Sequence, residues 1–266
     1  MNNNINNISS KKKEVLKLLK TIGIDTRFIS YTEDVIYIND QRFSKFSKKR
    51  QETFKKYFPE MEVISSTIFQ KICIRASKVL SSHLVPKDKI LILKPKTNKD
   101  NLLNIVLEPY SRKYGVTIIE SIDENLDINQ YIEETSINGL VKSTTLDEKV
   151  EKLLSNIFSG NGIGNINTEK ENEKFKVIYP FINIPNKWID VFISELKANC
   201  KNSFVNNSIN IESESNTESN PKKNTESYII ANSFMEFLDN IIPQYKENLL
   251  KSDIFIENYL KNNEKN

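Results

Sequence analysis

The chain has 266 residues, enough for one large domain or for a core domain with small additions. Its net charge is only +3, but residues 1–60 hold 13 Lys or Arg against 7 Asp or Glu, which permits a polyanionic partner without requiring one. No stretch approaches the roughly 20 apolar residues of a membrane-spanning helix, and residues 1–13 hold no signal-peptide core, so we expect a cytoplasmic protein.

The first 60 residues divide into a polar lead and a small N-terminal unit. Residues 1–13 are a low-complexity run of Asn, Ser and Lys, which we predict to be disordered. Residues 14–60 predict, in order, a helix ending near Gly23, a hairpin of two strands over 28–31 and 35–38, and one basic helix over 42–58.

The predicted basic helix carries candidate RNA-binding residues. Four phenylalanines can share one side of it: Phe43, Phe46, Phe54 and Phe58. The rest of its surface is cationic: Lys45, Lys48, Lys49, Arg50, Lys55 and Lys56. Such a surface favours an RNA phosphate backbone. It is equally typical of the solvated side of an amphipathic helix, so both interpretations stay open.

Residues 61–200 alternate between helix and strand. The predicted elements are a helix over 68–84, a strand over 90–93, a helix over 102–110, strands over 116–119 and 137–141, a helix over 146–158, a strand over 176–179 and a helix from Pro185. This alternation predicts an α/β fold, a parallel sheet with helices on both faces. Residues 201–227 read as a polar linker, and residues 228–266 as a C-terminal helical segment.

The turn after the strand over 90–93 is the candidate ligand site, because ligands bind at the carboxyl ends of parallel strands. A phosphate-binding turn needs converging backbone N–H groups. Pro95 has none, and the β-branched Thr97 is poorly suited to positive φ. Lys94, Lys96 and Lys99 leave positive charge there. The turn is therefore either a non-catalytic anion patch or a solvated loop.

The order of these elements resembles the PP-loop ATP pyrophosphatase superfamily and, within it, the tRNA 2-thiolation proteins, including the degenerate partner subunit of the wobble-uridine thiolation complex. The family loop is SGGxDS after a strand; here the corresponding residues are Lys96, Thr97, Asn98, Lys99, Asp100 and Asn101. Only Lys99, at the variable position, and Asp100 fit. Residues 143–148, followed by a helix and Gly160, are similar to a later family motif that contains Leu-Asp-Asp. Residues 179–182 look like its Arg-Pro-Leu segment, and residues 42–50 look like the tail of its zinc ribbon.

The departures from the family fall on residues that carry chemistry. The ribbon's cysteine pairs and the central CxxC are absent, and Cys73 and Cys200 form no pair. Asp100 and Asp147 could share Mg²⁺, but each is also explained as a helix cap. We therefore predict no catalytic residue, no metal and no cofactor, with ATP and Mg²⁺ bound only if the divergent loop still works.

The resemblance implies a non-catalytic protein that supports tRNA wobble-uridine 2-thiolation as a partner or scaffold subunit. It would pair with an active PP-loop homologue or with itself, and it would bind tRNA through the basic helix and Lys94. Two alternatives remain: an active ATP-dependent adenylating or sulfur-transferring enzyme with a divergent loop, and a standalone RNA-binding protein. Enzymatic activity is therefore left open, with the loop arguing against it.

Overall fold

A computed structural model describes residues 2–121, 131, 135–162, 175–199 and 226–263. The helices are α1 (Asn2–Thr21), α2 (Gln41–Ser44), α3 (Lys48–Tyr57), α4 (Thr67–His83), α5 (Asn98–Tyr114), α6 (Leu146–Phe158), α7 (Asn186–Asn199), α8 (Glu226–Asp239) and α9 (Tyr245–Asn263). The strands are β1 (Ile29–Tyr31), β2 (Val35–Ile38), β3 (Glu62–Ile64), β4 (Lys89–Ile92), β5 (Thr117–Glu120), β6 (Gly139–Val141) and β7 (Lys176–Ile178). Among the described helices, none is long and apolar enough to cross a membrane.

The central sheet has the strand order β5-β4-β6-β7, and every pairing in it is parallel. Ile90 and Ile92 of β4 point into the main core with residues of α4, α5 and α7, whereas Leu91 lies on the other face beside Leu140. A strand buried on both faces needs a continuous apolar run, which explains the sequence of β4. The predicted α/β fold with a parallel sheet is confirmed.

The N-terminal unit is a second, three-stranded sheet in which β2 pairs antiparallel with β1 and parallel with β3. All four residues of β2 are buried. Ile36 and Ile38 pack into a cluster with α1 and α3, whereas Val35 and Tyr37 belong to the main core. The sheet is therefore covered on both faces, and β2 joins the two cores.

The N-terminal unit is also held by an ion pair on α5. Arg112 Nε lies 2.7 Å from Glu108 Oε1. The same guanidinium donates to the carbonyl oxygens of Thr26 and Ile29, each at 2.9 Å, and Glu108 Oε2 accepts from the Tyr31 amide at 3.2 Å. Both charged side chains are largely buried. Because their hydrogen bonds are directional, they fix the position of the N-terminal unit on α5.

Three features of this unit differ from the sequence-based expectations. Helix α1 begins at Asn2 and so includes the stretch predicted as disordered; residues 2–22 contain no Gly or Pro to stop it. The expected single basic helix is broken at Lys45, whose φ is 59°, so Phe46 turns inward while Phe43 stays 51% exposed. Strand β3 was not predicted, because its three residues show no alternation.

The domain boundaries drawn from composition remain a prediction. The predicted linker at 201–227 lies outside the described residues up to 225, and its last two residues open α8. The C-terminal helices α8 and α9 pack on α6 through a cluster that includes Val150, Ala231 and Leu250.

Candidate functional site

The candidate site lies where β4 and β6 end side by side. The turn at 93–97 leads from β4 into α5, and residues 142–145 lead from β6 into α6. Both helices begin with a capping box, made by Thr97 with Asp100 and by Thr145 with Glu148. Two helix N-termini and their carboxylates therefore meet at the carboxyl edge of the sheet, as the sequence predicted for the turn.

The turn itself is closed by the carboxylate of Asp100. Asp100 Oδ2 accepts from the backbone N–H of Lys96 at 3.1 Å and of Thr97 at 2.9 Å, and from Thr97 Oγ1 at 2.8 Å. The φ angle of Thr97 is −128°, and no described residue between 94 and 101 has positive φ. The two amides at the start of the helix are thus directed at a side chain of the protein itself.

The second oxygen of Asp100 reaches the neighbouring strand end. Ser143 Oγ donates to Asp100 Oδ1 at 2.5 Å. Burial opposes ionisation of this carboxyl, but the donors from Ser143, Thr97 and the two amides outweigh it and lower the pKa of Asp100 below its ordinary value. Asp100 is therefore a carboxylate at neutral pH, and it places negative charge inside the turn.

Asp147, the other predicted Mg²⁺ candidate, is engaged elsewhere. Its Oδ2 accepts from the Asn186 amide at the start of α7, at 2.7 Å, and its Oδ1 lies 2.7 Å from Lys246 Nζ on α9. Burial disfavours the charged lysine, but Asp147 and Asp239 together raise the pKa of Lys246. Both oxygens of Asp147 therefore hold helices together.

The lysines of the turn differ in their surroundings. Lys99 Nζ forms a short ion pair with Glu148 Oε1, while the other oxygen of Glu148 accepts from the Thr145 amide at 3.1 Å. Lys94 and Lys96 are exposed. Asn98 Oδ1 is buried without a hydrogen-bond partner. Of the predicted loop residues, Lys99 and Asp100 therefore meet residues from the β6 side, whereas Asn101 lies within the first turn of α5.

The candidate RNA-binding residues lie on two separate elements. On α3 and just before it, Lys45, Lys48, Lys49, Lys55 and Lys56 are exposed. Arg50 is half-buried and donates to the Lys45 carbonyl oxygen at 2.7 Å, so it helps to hold the break between α2 and α3. Lys94 follows β4 in the other sheet.

Cys73 lies away from the turn. It lines a cavity of about 570 Å³ between α4, α5 and the N-terminal unit, together with Phe28, Phe43, Tyr110 and Tyr114. Burial, and to a smaller extent Asp40, raises the pKa of the Cys73 thiol well above its usual value. The thiol is therefore protonated at neutral pH and is a poor nucleophile.

Three contacts of the site escaped the sequence analysis. The Thr97-Asn-Lys-Asp100 spacing is itself a capping-box signature and could have located the closure of the turn. Ser143 was noted only as part of a motif, and nothing in the sequence indicates its contact with Asp100. Lys246 gave no signal either, since it lies 99 residues from Asp147.

No family model matches the chain. A probable sulfurtransferase of Methanocaldococcus jannaschii is 28% identical to it over 120 residues, which cover 43% of this chain and 35% of that protein. The chain thus matches about a third of the length of this curated relative. The U34-tRNA thiolase NcsA from Methanococcus maripaludis, solved with its 4Fe–4S cluster, superimposes with a TM-score of 0.53 at 11% identity, covering 72% of this chain and 79% of that chain.

These two similarities confirm the predicted resemblance at the level of the fold: the chain shares the fold of a U34-tRNA thiolase, and part of it is similar in sequence to a probable sulfurtransferase. The expectation that no cofactor belongs to this protein is wrong in the light of the thiolase, which carries a 4Fe–4S cluster in the same fold. The residues described for this chain do not fit such a cluster. Iron–sulfur clusters are held mainly by Cys thiolates. Cys73 is a buried thiol, Cys200 lies outside the described residues, and the described part of the chain brings no three His, Cys, Asp or Glu together as metal ligands.

Proposed function

We propose that the protein supports tRNA wobble-uridine 2-thiolation as a non-catalytic partner or scaffold subunit of PP-loop fold. The proposal rests on one observation: the Asp100 carboxylate accepts hydrogen bonds from the backbone N–H groups of Lys96 and Thr97. A phosphate bound in the turn would need these same N–H groups as donors. In this turn the anion position is filled by the protein.

Binding of a nucleoside triphosphate to the turn would be unfavourable in this arrangement. It would have to displace Asp100 from hydrogen bonds to a charged group, each contributing about 1.5–3 kcal/mol. The displaced carboxylate would remain within a few ångströms of the phosphates, and like charges about 4 Å apart repel by roughly 4 kcal/mol at an effective dielectric constant of 20. The cations of Lys94 and Lys96 act against this repulsion only as exposed point charges.

Sulfur transfer would also require a reactive thiol. Cys73 is buried in α4 and its pKa is raised, so it does not offer a thiolate. Among the described residues, which do not include Cys200, this supports a role in which the chain contributes surface rather than sulfur chemistry.

The exposed lysines of α3 support tRNA as the partner of that surface. Lys48, Lys49, Lys55 and Lys56 all lie on one ten-residue helix and are all exposed. Each phosphate neutralised by a lysine releases a counterion, so binding through this helix would weaken steeply with salt. Pairing with an active PP-loop homologue would supply the reaction, and co-purification from native cells tests that pairing.

An active ATP-dependent tRNA-modifying enzyme is the second candidate function. It is favoured by the meeting of Asp100, Ser143, Lys99 and Glu148 at the ends of two parallel strands, where a reactive site would be expected. In that case Asp100 would bind the ligand and would not occupy the anion position itself.

Titration of the full chain with MgATP by calorimetry separates the two, because they predict opposite effects of Asp100→Ala. If Asp100 fills the anion site, the wild type shows no saturation up to about 1 mM, and Asp100→Ala binds at least about 10-fold more tightly, since about 1.4 kcal/mol corresponds to tenfold. Glu52→Gln, an exposed acid on α3, is the charge-matched control and leaves binding unchanged. Micromolar binding by the wild type that Asp100→Ala abolishes would contradict the closed anion site and favour the enzyme.

A further inference from the structure

The cavity beside Cys73 lies at the end of the central sheet opposite the turn at 93–97. Its wall includes Val85 and Pro86, which precede β4, and Val116, which precedes β5. The turn follows β4, so the four residues of this strand, about 13 Å in length, separate the two places. The cavity therefore belongs neither to the candidate nucleotide turn nor to the helix starts around it.

The cavity has the size and the walls of a small-molecule site. Its volume of about 570 Å³ falls within the roughly 300–1,000 Å³ of ligand pockets. Two aromatic pairs line it: the rings of Phe28 and Phe43 are stacked with their centroids 5.2 Å apart, and the rings of Tyr110 and Tyr114 lie 5.8 Å apart. Aromatic rings pack favourably on one another at such distances, so a planar aromatic molecule can extend this packing.

Part of the apolar wall is open to solvent. Eight large hydrophobic residues are exposed in the described parts of the chain before residue 226, and four of them line this cavity. They are Phe43, Ile74, Val85 and Tyr114, which are between 44% and 60% exposed. Single exposed apolar residues need no explanation, but four around one concave surface indicate a binding site for an apolar group.

The charges on the wall favour an anionic ligand. Two cations, Arg27 and Lys78, line the cavity with one acid, Asp40. Asp40 caps α2, since its Oδ1 accepts from the Phe43 amide at 3.0 Å, and Arg27 is paired with Asp25 at 2.7 Å. Lys78 is exposed and forms no ion pair with any residue that the structure describes. Its cation is therefore available to a ligand.

Tyr110 adds a hydroxyl group to the wall. The residue is partly buried, and within the described parts of the chain nothing forms a hydrogen bond with its hydroxyl. Burial is the main cause that raises the pKa of Tyr110, with smaller contributions from Cys73 and Tyr114. The hydroxyl is therefore protonated at neutral pH and can donate to a bound molecule. A ligand in the cavity would supply the partner that a partly buried hydroxyl normally has.

We propose that the cavity binds an aromatic molecule that carries one anionic group, such as an aromatic carboxylic acid. The ring packs against the two aromatic pairs, and the anion meets Lys78 at the exposed edge. The bound molecule touches α4, α5 and the N-terminal unit at once, so it ties the unit that carries α3 to the core. The inference is independent of tRNA thiolation and of whether the turn at 93–97 binds a nucleotide.

The test compares two fluorescent probes of the same shape. Anilinonaphthalene sulfonate is an aromatic anion, and N-phenylnaphthylamine is the same ring system without the sulfonate. Both gain fluorescence in apolar sites, so each is titrated into the full chain. We expect the anionic probe to bind with a Kd on the order of 10–100 µM, as for a ligand of about 20 non-hydrogen atoms. Absence of binding by both probes would overturn the proposal.

Lys78→Met tests the assignment of the anion. It should weaken binding of the anionic probe by about 3- to 10-fold and leave the Kd of the neutral probe within about 2-fold, because only the sulfonate meets the cation. Lys197→Met, at an exposed lysine of α7 that does not line the cavity, is the matched control and should change neither Kd. An equal loss for both probes, or none for either, would contradict an anionic ligand.

A second pair of variants locates the binding. Ser77 is exposed on α4 and lines the cavity, so Ser77→Trp should fill part of it and weaken both probes at least about 10-fold. Ser82→Trp adds the same ring to the same helix outside the cavity and should leave both Kd values unchanged. Circular dichroism checks that both variants are folded. Binding that survives Ser77→Trp lies on another apolar surface, such as the exposed side chains of α9, and overturns the proposed site.

Discussion

Replacing Asp100 should reveal how much of the stability of the turn depends on one carboxylate. Asp100→Ala removes the acceptor for four donors: the amides of Lys96 and Thr97, and the hydroxyls of Thr97 and Ser143. It also removes half of the capping box of α5. Loss of a cap alone costs about 1 kcal/mol. A hydrogen bond to a charged group contributes about 1.5–3 kcal/mol, but Asp100 is partly exposed and the donors regain water.

We therefore expect Asp100→Ala to lower the free energy of unfolding by about 2–3 kcal/mol at pH 7. Ser143→Ala removes one donor and keeps the cap, so it should cost about 1 kcal/mol. Urea denaturation followed by circular dichroism measures both. Glu52→Gln, an exposed acid without a role in the turn, should stay within about 0.5 kcal/mol of the wild type.

The loss should depend on pH with a defined sign. Because the folded pKa of Asp100 is lowered, its stabilisation is fully present above the ordinary Asp value of about 3.9 and disappears as the pH falls through the folded pKa. The difference between wild type and Asp100→Ala should therefore be constant between pH 5 and 7 and shrink towards pH 3. An equal difference at pH 7 and pH 3, or none at pH 7, would refute the role given to this carboxylate.

Three further predictions concern other contacts. Lys246→Met should leave Asp147 buried beside the α7 start without its cation and cost about 1–3 kcal/mol in urea denaturation, whereas Lys251→Met, exposed on the same helix, should cost less than about 0.5 kcal/mol. Phe54→Ala should lower the free energy of unfolding by about 3–5 kcal/mol, because the Phe54 ring is fully buried. Phe43→Ala, at a half-exposed position, should lower it by less than half of that amount in the same urea denaturation. Changing the four exposed α3 lysines to Gln should weaken tRNA binding and reduce its salt slope by up to about four, as read from filter binding between 50 and 200 mM salt; an unchanged slope would place the RNA surface elsewhere.

The sequence predicted the central sheet well because its signals are local. The apolar run of β4 and the capping box at Thr145 each lie within a few residues, so their patterns indicate structure without knowledge of the fold. The closure of the turn by Asp100 is local as well, and the Thr97 spacing contains it. That this closure competes with a bound anion became clear only from the structure, in which both amides donate to the same oxygen of Asp100.

Other features depend on partners that are distant in sequence. Strand β3 is stabilised by parallel pairing with β2, which lies more than 20 residues earlier. The break at Lys45 places a residue other than Gly at positive φ, and the sequence gives no Gly or Pro there to announce it. The engagement of Asp147 by Lys246 arises only when α9 folds back beside α6.

The double burial of β2 has a consequence for how the molecule unfolds. Detaching the N-terminal unit would strip Val35 and Tyr37 from the main core and expose the rings of Phe69 and Phe192, which pack around Tyr37 at 5.5 Å and 6.4 Å. The two halves should consequently melt in a single cooperative transition. A fragment that starts at residue 61 would lose solubility rather than survive as an independent domain. Destabilising mutations in either half should therefore lower the abundance of the whole protein.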